Sequence, residues 1–294
     1  MSTSSSTTAD RQARRGVPDS LAGAAMIVGT SASIQVAAAL AHGLFATLGP
    51  AGTSALRFTL GAAILFAVVR PGIRGRDGET WWAIARYGVS LAALNLTFFE
   101  AIQRLPMGIA VTFAFLAPLG MALAGSRRHQ DVAFALLAGA GVLLLSGVGR
   151  PGSGPGIAFA IAAGGAWASV AYAGRTVGAR TSRLDGLALA LPIAAAVTLP
   201  FGVFRFGAID AHALGLGVVI AVGGLILPFA LELEGLRRLE PRFVAVIYSL
   251  DPAIAGLVGF AALGQTPTTV QLLGMGAVVV ASIGAVWNSA PRPG

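Results

Sequence analysis

Residues 100–125 read EAIQRLPMGIAVTFAFLAPLGMALAG and residues 234–259 read EGLRRLEPRFVAVIYSLDPAIAGLVG. An offset of 134 lays Glu100 on Glu234, Arg104-Leu105 on Arg238-Leu239, Leu116 on Leu250, Pro118 on Pro252, Leu123 on Leu257 and Gly125 on Gly259. Seven identities in 26 positions, with a proline inside each apolar run, exceed what shared apolar composition readily supplies.

Outward from these stretches, apolar segments run at roughly 21–42, 50–69, 80–103, 106–124, 131–148, 155–176, 184–204, 212–236, 241–261 and 267–287. Each has about the 20 residues a helix needs to cross a ~30 Å hydrocarbon core. The repeated stretches fall on the third and fourth segments and on the eighth and ninth. The chain therefore divides into halves at 21–148 and 155–288, joined by a Gly/Pro/Ser linker at 149–154 and flanked by tails at 1–20 and 289–294. Five crossings are an odd number, so a tandem copy enters the bilayer the other way up. The expectation is an all-α integral membrane protein of ten transmembrane helices, arranged as two inverted-topology five-helix repeats. In such an arrangement the substrate site belongs near the midplane, between the halves.

Composition agrees. Apolar residues make up 55% of the chain and charged residues 11%, against about 25% charged in a soluble domain. Ten spans leave only short loops, with no room for a soluble catalytic domain. The net charge of +8 comes from arginine alone, since the chain has no lysine. A nucleic-acid surface would cluster that charge, whereas here it alternates between loops. Fifteen arginines fall on the side of the N-terminus, and three (Arg104, Arg150 and Arg205) fall on the other. A bias of that size places both termini in the cytoplasm. The Ser/Thr-rich, then basic, first 20 residues read as a disordered tail. Arg14-Arg15 ahead of an apolar run imitates a secretory signal, but the run is too long for one and nine more follow. Without cysteine there is no thiolate chemistry and no disulfide. Phosphate-loop, zinc-helix and nucleophile-elbow motifs are missing, and three scattered histidines match no metal spacing. No enzyme, cofactor, metal or nucleic-acid partner is expected.

Gly139, Gly141 and Gly149 in the fifth segment match Gly274, Gly276 and Gly284 in the tenth at an offset of 135. Small residues let helices approach closely in lipid, so these two segments are expected to be packing helices. Trp81-Trp82 follow a basic loop and suit the cytoplasmic interface as anchors.

Several stretches resemble the EamA-type branch of the drug/metabolite transporter superfamily. Ala55-Leu56-Arg57-Phe58 is similar to that family's L-R-F element, and Arg104-Leu105-Pro106 leads into the fourth segment as family members do. Tyr248–Leu257 (YSLDPAIAGL) resembles the ninth-helix S-L-x-P element. Leu263-Gly264-Gln265-Thr266-Pro267 resembles an L-G-E-x-hydrophobic element, with Gln265 where the family usually has Glu. Leu250-Asp251-Pro252-Ala253 is also similar to the corresponding run of YddG-type aromatic amino-acid exporters and of threonine/homoserine exporters. The resemblance implies export of amino acids and related small amphiphilic metabolites across the bacterial inner membrane, by alternating access and with broad specificity. Efflux of other metabolites or drugs is the alternative within that class. A non-transporting receptor or assembly factor, or an intramembrane enzyme, is the alternative outside it.

Ionisable residues at membrane depth are functional candidates by default. Asp251 stands about halfway along the ninth segment, before a proline that interrupts the helical hydrogen bonds. It can bind a substrate ammonium, carry a proton or salt-bridge Arg57. The expected substrate-binding set is Asn95, Trp167, Tyr172, Tyr248 and Asp251. His42, near the outer end of the first segment, is added to it with an interface role as its alternative. Arg57, Pro118, Pro252, Glu100 and Glu234 are read as gating or structural. Among these, Pro118 and Pro252 act as kinks and Glu234 pairs with Arg237 or Arg238.

Overall fold

The computed structural model describes residues 17–124, 129–145, 153–181 and 184–289. The expected 1–20 tail lies mostly outside these residues, as do most of the 149–154 linker and of the 289–294 tail, together with Gly125 and Gly149. Among the described residues every regular element is helical. In chain order these are α1 Val17–His42, α2 Phe45–Val69, α3 Gly78–Arg104, α4 Met107–Ala124, α5 His129–Leu145, α6 Ser153–Arg180 and α7 Asp185–Gly202. A 3-10 turn, Val203–Ala208, then leads to α8 Ala211–Ala221, a π turn Val222–Ile226, α9 Leu227–Arg238, α10 Pro241–Tyr248, α11 Asp251–Leu263 and α12 Thr269–Ser289. Among the described residues six stretches are long and apolar enough to cross a membrane: Asp19–His42, Phe45–Val69, Gly154–Arg180, Asp185–Ala208, Ala211–Arg238 and Phe243–Leu263.

Helix ends follow local chemistry. Asp77 caps α3 by accepting from the Thr80 amide at 2.9 Å. That bond, with Arg180 nearby, holds the Asp77 carboxyl below the usual carboxylate range. Asp210 caps α8 through the Ala213 amide at 2.7 Å. Leu105 and Leu239 end their helices in nearly the same extended conformation, φ −125° ψ 149° and φ −113° ψ 149°. At Leu105 the cause is local, because Pro106 disfavours helical geometry in the residue before it. Gly264 closes α11 at φ 63°, a left-handed value that suits glycine.

Two elements expected as single spans are broken. The eighth passes from α8 to α9 through a π turn that contains Gly223-Gly224. The ninth is interrupted at Ser249-Leu250, and Pro252 stands in the first turn of α11, where its missing N–H costs nothing. Pro252 therefore starts a helix, whereas Pro118 falls inside the continuous run of α4. Asp251 and Pro252 are both buried.

Helix pairing is reciprocal. α3 packs along α6 and α9 along α1, α2 packs on α7, α5 on α12, and α4 on α11. Gly141 and Gly274 meet back to back: a Cβ on either would lie 2.7–2.8 Å from the other's carbonyl oxygen. Gly139 and Gly276 have open space around them, so the glycine-to-glycine contact between these two helices is carried by Gly141 and Gly274.

Gln265 has a structural task. Its Oε1 accepts from the Met107 amide at 2.9 Å, which satisfies one of the open N–H groups at the start of α4. A neutral amide oxygen does this as a carboxylate would. Gln265→Leu is expected to lower unfolding stability by about 1 kcal/mol and Gln265→Glu to leave it near the parent, as thermal unfolding in detergent would report.

Candidate functional site

Two apolar clusters occupy opposite ends of the bundle, and the polar side chains lie between them. One cluster takes Ala38–Leu48 positions of the first two helices, Leu56, Phe99–Met107 positions, Ala160, Ile220 and Ala255. The other takes Phe58, Leu65, Ile84, Tyr87, Ala92, Ala173 and Leu187–Ala195 positions. On α2 the boundary falls at Arg57, on α3 it brackets Asn95, and on α6 it brackets Trp167. On α1, Ser31 and Gln35 lie one turn apart, just below Ala38. Each helix thus changes from apolar to polar at a similar depth, and the result is a polar layer across the middle of the bundle.

That layer is under-satisfied. Ser31 Oγ, Gln35 Oε1, Ser54 Oγ, Arg57 Nε, Asn95 Oδ1 and Asp251 Oδ1 are buried without a hydrogen-bond partner. Buried polar groups are nearly always paired in a folded protein. Several orphans at one depth therefore suit a polar ligand.

Arg57 is 5% exposed. Its Nη2 donates to the Gly224 carbonyl, and its guanidinium lies 5.7 Å from the centroid of the Phe99 ring. The π turn makes this arrangement possible, because its free carbonyls are taken by Arg57 and by Ser33 Oγ, the latter at 2.5 Å from the Gly223 oxygen. Thr30 Oγ1 reaches the Pro228 carbonyl at 3.3 Å. Gly224 has no room for a side chain: a Cβ there would meet Arg57 Nη2 at 2.5 Å and Ala37 Cβ at 2.9 Å. A guanidinium offers five donors, so one bond to Gly224 leaves others for a carboxylate.

Asp251, also 5% exposed, faces Ser31 on α1. The expected salt bridge to Arg57 is not among the ion pairs of the described residues. The π turn explains the difference, because its carbonyl takes the guanidinium instead. A buried cation and a buried anion thus lie within the polar layer without neutralising each other. Arg57 meets α1 beside Ala37 and Asp251 meets it at Ser31, six residues away or roughly 9 Å along the axis. Nearby, the Tyr248 hydroxyl donates to Glu232 Oε1 at 2.6 Å.

The other candidates divide. Asn95 is 8% exposed within the layer. Trp167 packs edge-on against Phe115, ring centroids 6.0 Å apart, beside the Ser90–Ser169 hydroxyl pair at 2.7 Å. Tyr172 is not brought to the layer: it is 63% exposed, with the Arg86 guanidinium 5.2 Å from its ring centroid. Helical geometry accounts for this, because a spacing of five residues turns Trp167 and Tyr172 about 140° apart. His42 stacks on Phe45 at 5.1 Å, about 10 Å along α1 from Gln35, and lies at the end of the bundle rather than its middle. Trp82 is exposed, while Trp81 packs against the second cluster.

Glu100 and Glu234 occupy matching places at opposite ends. Glu100 pairs with Arg104, whose guanidinium lies 5.0 Å from the Phe159 ring centroid. Glu234 pairs with Arg238 at 2.7 Å and with Arg237 at 3.5 Å, and Arg238 also reaches Asp19 at 3.5 Å. Beside each arginine sits a glycine. A Cβ on Gly156 would meet Leu105 Cγ at 2.8 Å and Arg104 Cβ at 3.0 Å. A Cβ on Gly23 would meet Arg238 Cβ and Leu239 Cγ, both at 2.9 Å.

Ser31, Ser54 and the Gly223-Gly224 turn were not marked by the sequence reading. Two adjacent glycines four or five residues before Pro228 are the signal that would have located the break in the eighth span.

Comparison with known proteins gives the following. Residues 154–287 match the family described as the EamA-like transporter family. The chain is 37% identical over 259 residues to the threonine/homoserine exporter RhtA of Escherichia coli K12, covering 86% of this chain and 88% of that one. It is 36% identical over 266 residues to the threonine/homoserine exporter RhtA of Salmonella typhimurium LT2, covering 89% and 90%. An uncharacterized transporter of Archaeoglobus fulgidus is 27% identical over 220 residues, covering 73% of this chain and 78% of that one. A solved crystal structure aligns with TM-score 0.64 at 22% identity, over 92% of this chain and 99% of the other, a likeness of fold alone.

Proposed function

We propose that this chain, which belongs to the EamA-like transporter family and is a multi-pass membrane transporter rather than an enzyme, exports amino acids of the threonine and homoserine class across the bacterial inner membrane. The observation that carries the reading is the polar layer, where a cation and an anion are buried without pairing and leave amide and hydroxyl groups open between them. An α-amino acid matches that arrangement, its carboxylate on Arg57 and its ammonium on Asp251. Charge-assisted bonds of this kind are about twice as strong as neutral ones. Gln35, Asn95 and Ser31 are placed to meet a short hydroxylated side chain, and Trp167 bounds the pocket. A larger aromatic side chain has to displace the Phe115–Trp167 contact, so the substrate range is broad but favours small amino acids.

The export cycle is alternating access between two inverted five-helix halves, 21–148 and 155–288. Three features support that reading. The α3–α6 and α9–α1 pairings exchange under the repeat, the Leu105 and Leu239 turns have matching conformations, and the glycine–arginine contacts recur at opposite ends.

The function is tested by reconstituting the purified protein and measuring uptake of a panel of labelled amino acids. Threonine and homoserine should exchange well above protein-free liposomes, with Phe slower. A protein that moves none of the panel is no amino-acid exporter. Orientation has its own check, since the chain lacks native cysteine. Cys at Arg74 should be shielded from an impermeant thiol reagent in intact cells and Cys at Gly207 labelled. The reverse pattern places both termini outside.

A further inference from the structure

Arg86 has no task in the substrate site just described, yet it stands well inside the third apolar segment, 80–103, and not in a loop. It faces away from the polar layer, since nine residues separate it from Asn95 and place it half a turn round α3. Arg86 is exposed, and its guanidinium lies 5.2 Å from the ring centroid of Tyr172 on α6, itself 63% exposed. The two helices run antiparallel in a definite register: Arg180 meets Glu79, Gly174 meets Tyr87 and Ser169 meets Ser90. That register sets Arg175 almost level with Arg86. Arg175 is also exposed, and it follows Tyr172 by three residues on a shared helix face.

Neither arginine belongs to an ion pair among the described residues. The sequence supplies no acid nearby: α6 has none, and α3 has none between Glu79 and Glu100. Glu79 lies about 10 Å from Arg86 along the axis, and Arg180 holds it at 2.7 Å, while Arg76 holds Asp185 at 3.3 Å. Two like charges thus share one level on the outer surface of the bundle, about 9 Å inside the start of the span. Such a pair is costly without an anion. Trp82, 67% exposed, stands one turn nearer the helix end, and Val89, 47% exposed, about one turn deeper. An aromatic ring above the arginines and an aliphatic side chain below them mark a headgroup boundary.

We propose that the seam between α3 and α6 is a binding site for one anionic phospholipid, whose phosphate bridges Arg86 and Arg175. Guanidinium groups match a phosphate with paired N–H donors, and long arginine side chains reach from this depth toward the phosphate level. Tyr172 stands between the two arginines, Trp82 flanks the headgroup on the water side, and Val89 meets the start of the acyl chains. Net charge selects the lipid, because a zwitterionic headgroup brings an ammonium that two arginines repel. Depth selects a lipid over free phosphate, because a soluble anion has to leave water to reach the Arg86 level. The bound lipid ties α3 to α6 from outside the bundle.

The test titrates the purified full chain in nonionic detergent with phosphatidylglycerol and counts bound lipid by native mass spectrometry. The parent should retain one lipid, half-saturating at a concentration at least tenfold below that for phosphatidylcholine of the same chains. Arg86→Gln with Arg175→Gln should raise the phosphatidylglycerol value about tenfold or more, and should melt like the parent without lipid, as exposed substitutions do. Arg175→Gln alone, which leaves the Arg86–Tyr172 contact in place, should raise it at least threefold. Arg70→Gln with Arg74→Gln removes two exposed loop charges and should change it less than twofold. Inorganic phosphate in large excess should leave the lipid bound. Parent-like binding by either Arg175 variant overturns the proposal. Equal loss in the loop variant reduces the attraction to diffuse charge, and release by inorganic phosphate makes the seam a plain anion site; both overturn it. A lipid-free dimer that the double Arg86/Arg175 variant dissociates gives the face to a second copy and overturns it as well.

Discussion

Arg57→Gln is expected to cut threonine transport about 100-fold while leaving the protein folded. What is lost is the charge facing a substrate carboxylate. Hydrogen bonds to charged groups contribute about 1.5–3 kcal/mol each, and two of them make the hundredfold. Asp251→Asn should show a loss of similar size from the ammonium end. Transport of threonine in proteoliposomes, with melting in detergent as the control for folding, reads both. A variant that melts like the parent and transports at a third of its rate or more would remove Arg57 from the site.

Cross-linking either end of the bundle should stop the cycle almost completely. The glycine contacts at Gly23–Arg238 and Gly156–Arg104 are close approaches between α1 and α9 and between α6 and α3 at their respective ends, with hypothetical Cβ separations of 2.9 and 3.0 Å. In an inverted-repeat carrier these are counterparts, one closing each side of the membrane. Gly23→Cys with Arg238→Cys, and Gly156→Cys with Arg104→Cys, should each form a disulfide under mild oxidation, and the missing native cysteines remove competing pairs. Either oxidised protein should transport at under a tenth of its own reduced rate, with recovery on reduction. A disulfide that forms fully and leaves transport unchanged marks that contact as static packing and removes the end from the gating cycle.

The membrane-spanning helices were legible because hydrophobic length is a direct consequence of bilayer thickness, and the segment bounds at 50–69 and 184–204 lie close to α2 and α7. The interior breaks were harder to see. A π turn at Gly223-Gly224 leaves no mark on hydropathy, since glycines inside an apolar run score as part of the run. That turn redirects Arg57 away from Asp251, so the wrong partner was assigned to the guanidinium for want of a backbone carbonyl that only the fold supplies. Tyr172 was misplaced for a simpler reason: depth was read from position along the helix and the angle around it was not. Asn95 and Asp251, both buried, stood out in the sequence because a polar group at membrane depth is conspicuous. Ser31 and Ser54 escaped notice because serine is common in apolar helices, where its hydroxyl often returns to the helix's own backbone.

The chemical form of the substrate bears most directly on the central claim that a zwitterion bridges Arg57 and Asp251. Competition against labelled threonine export should be measured with threonine methyl ester, which lacks the carboxylate, and with N-acetylthreonine, which lacks the ammonium. Both should compete at least 30-fold more weakly than threonine in the parent, and Arg57→Gln should abolish the preference for threonine over its methyl ester. Equal competition by threonine and its methyl ester in the parent would contradict the bridge and leave Arg57 as a tie between α2 and the π turn.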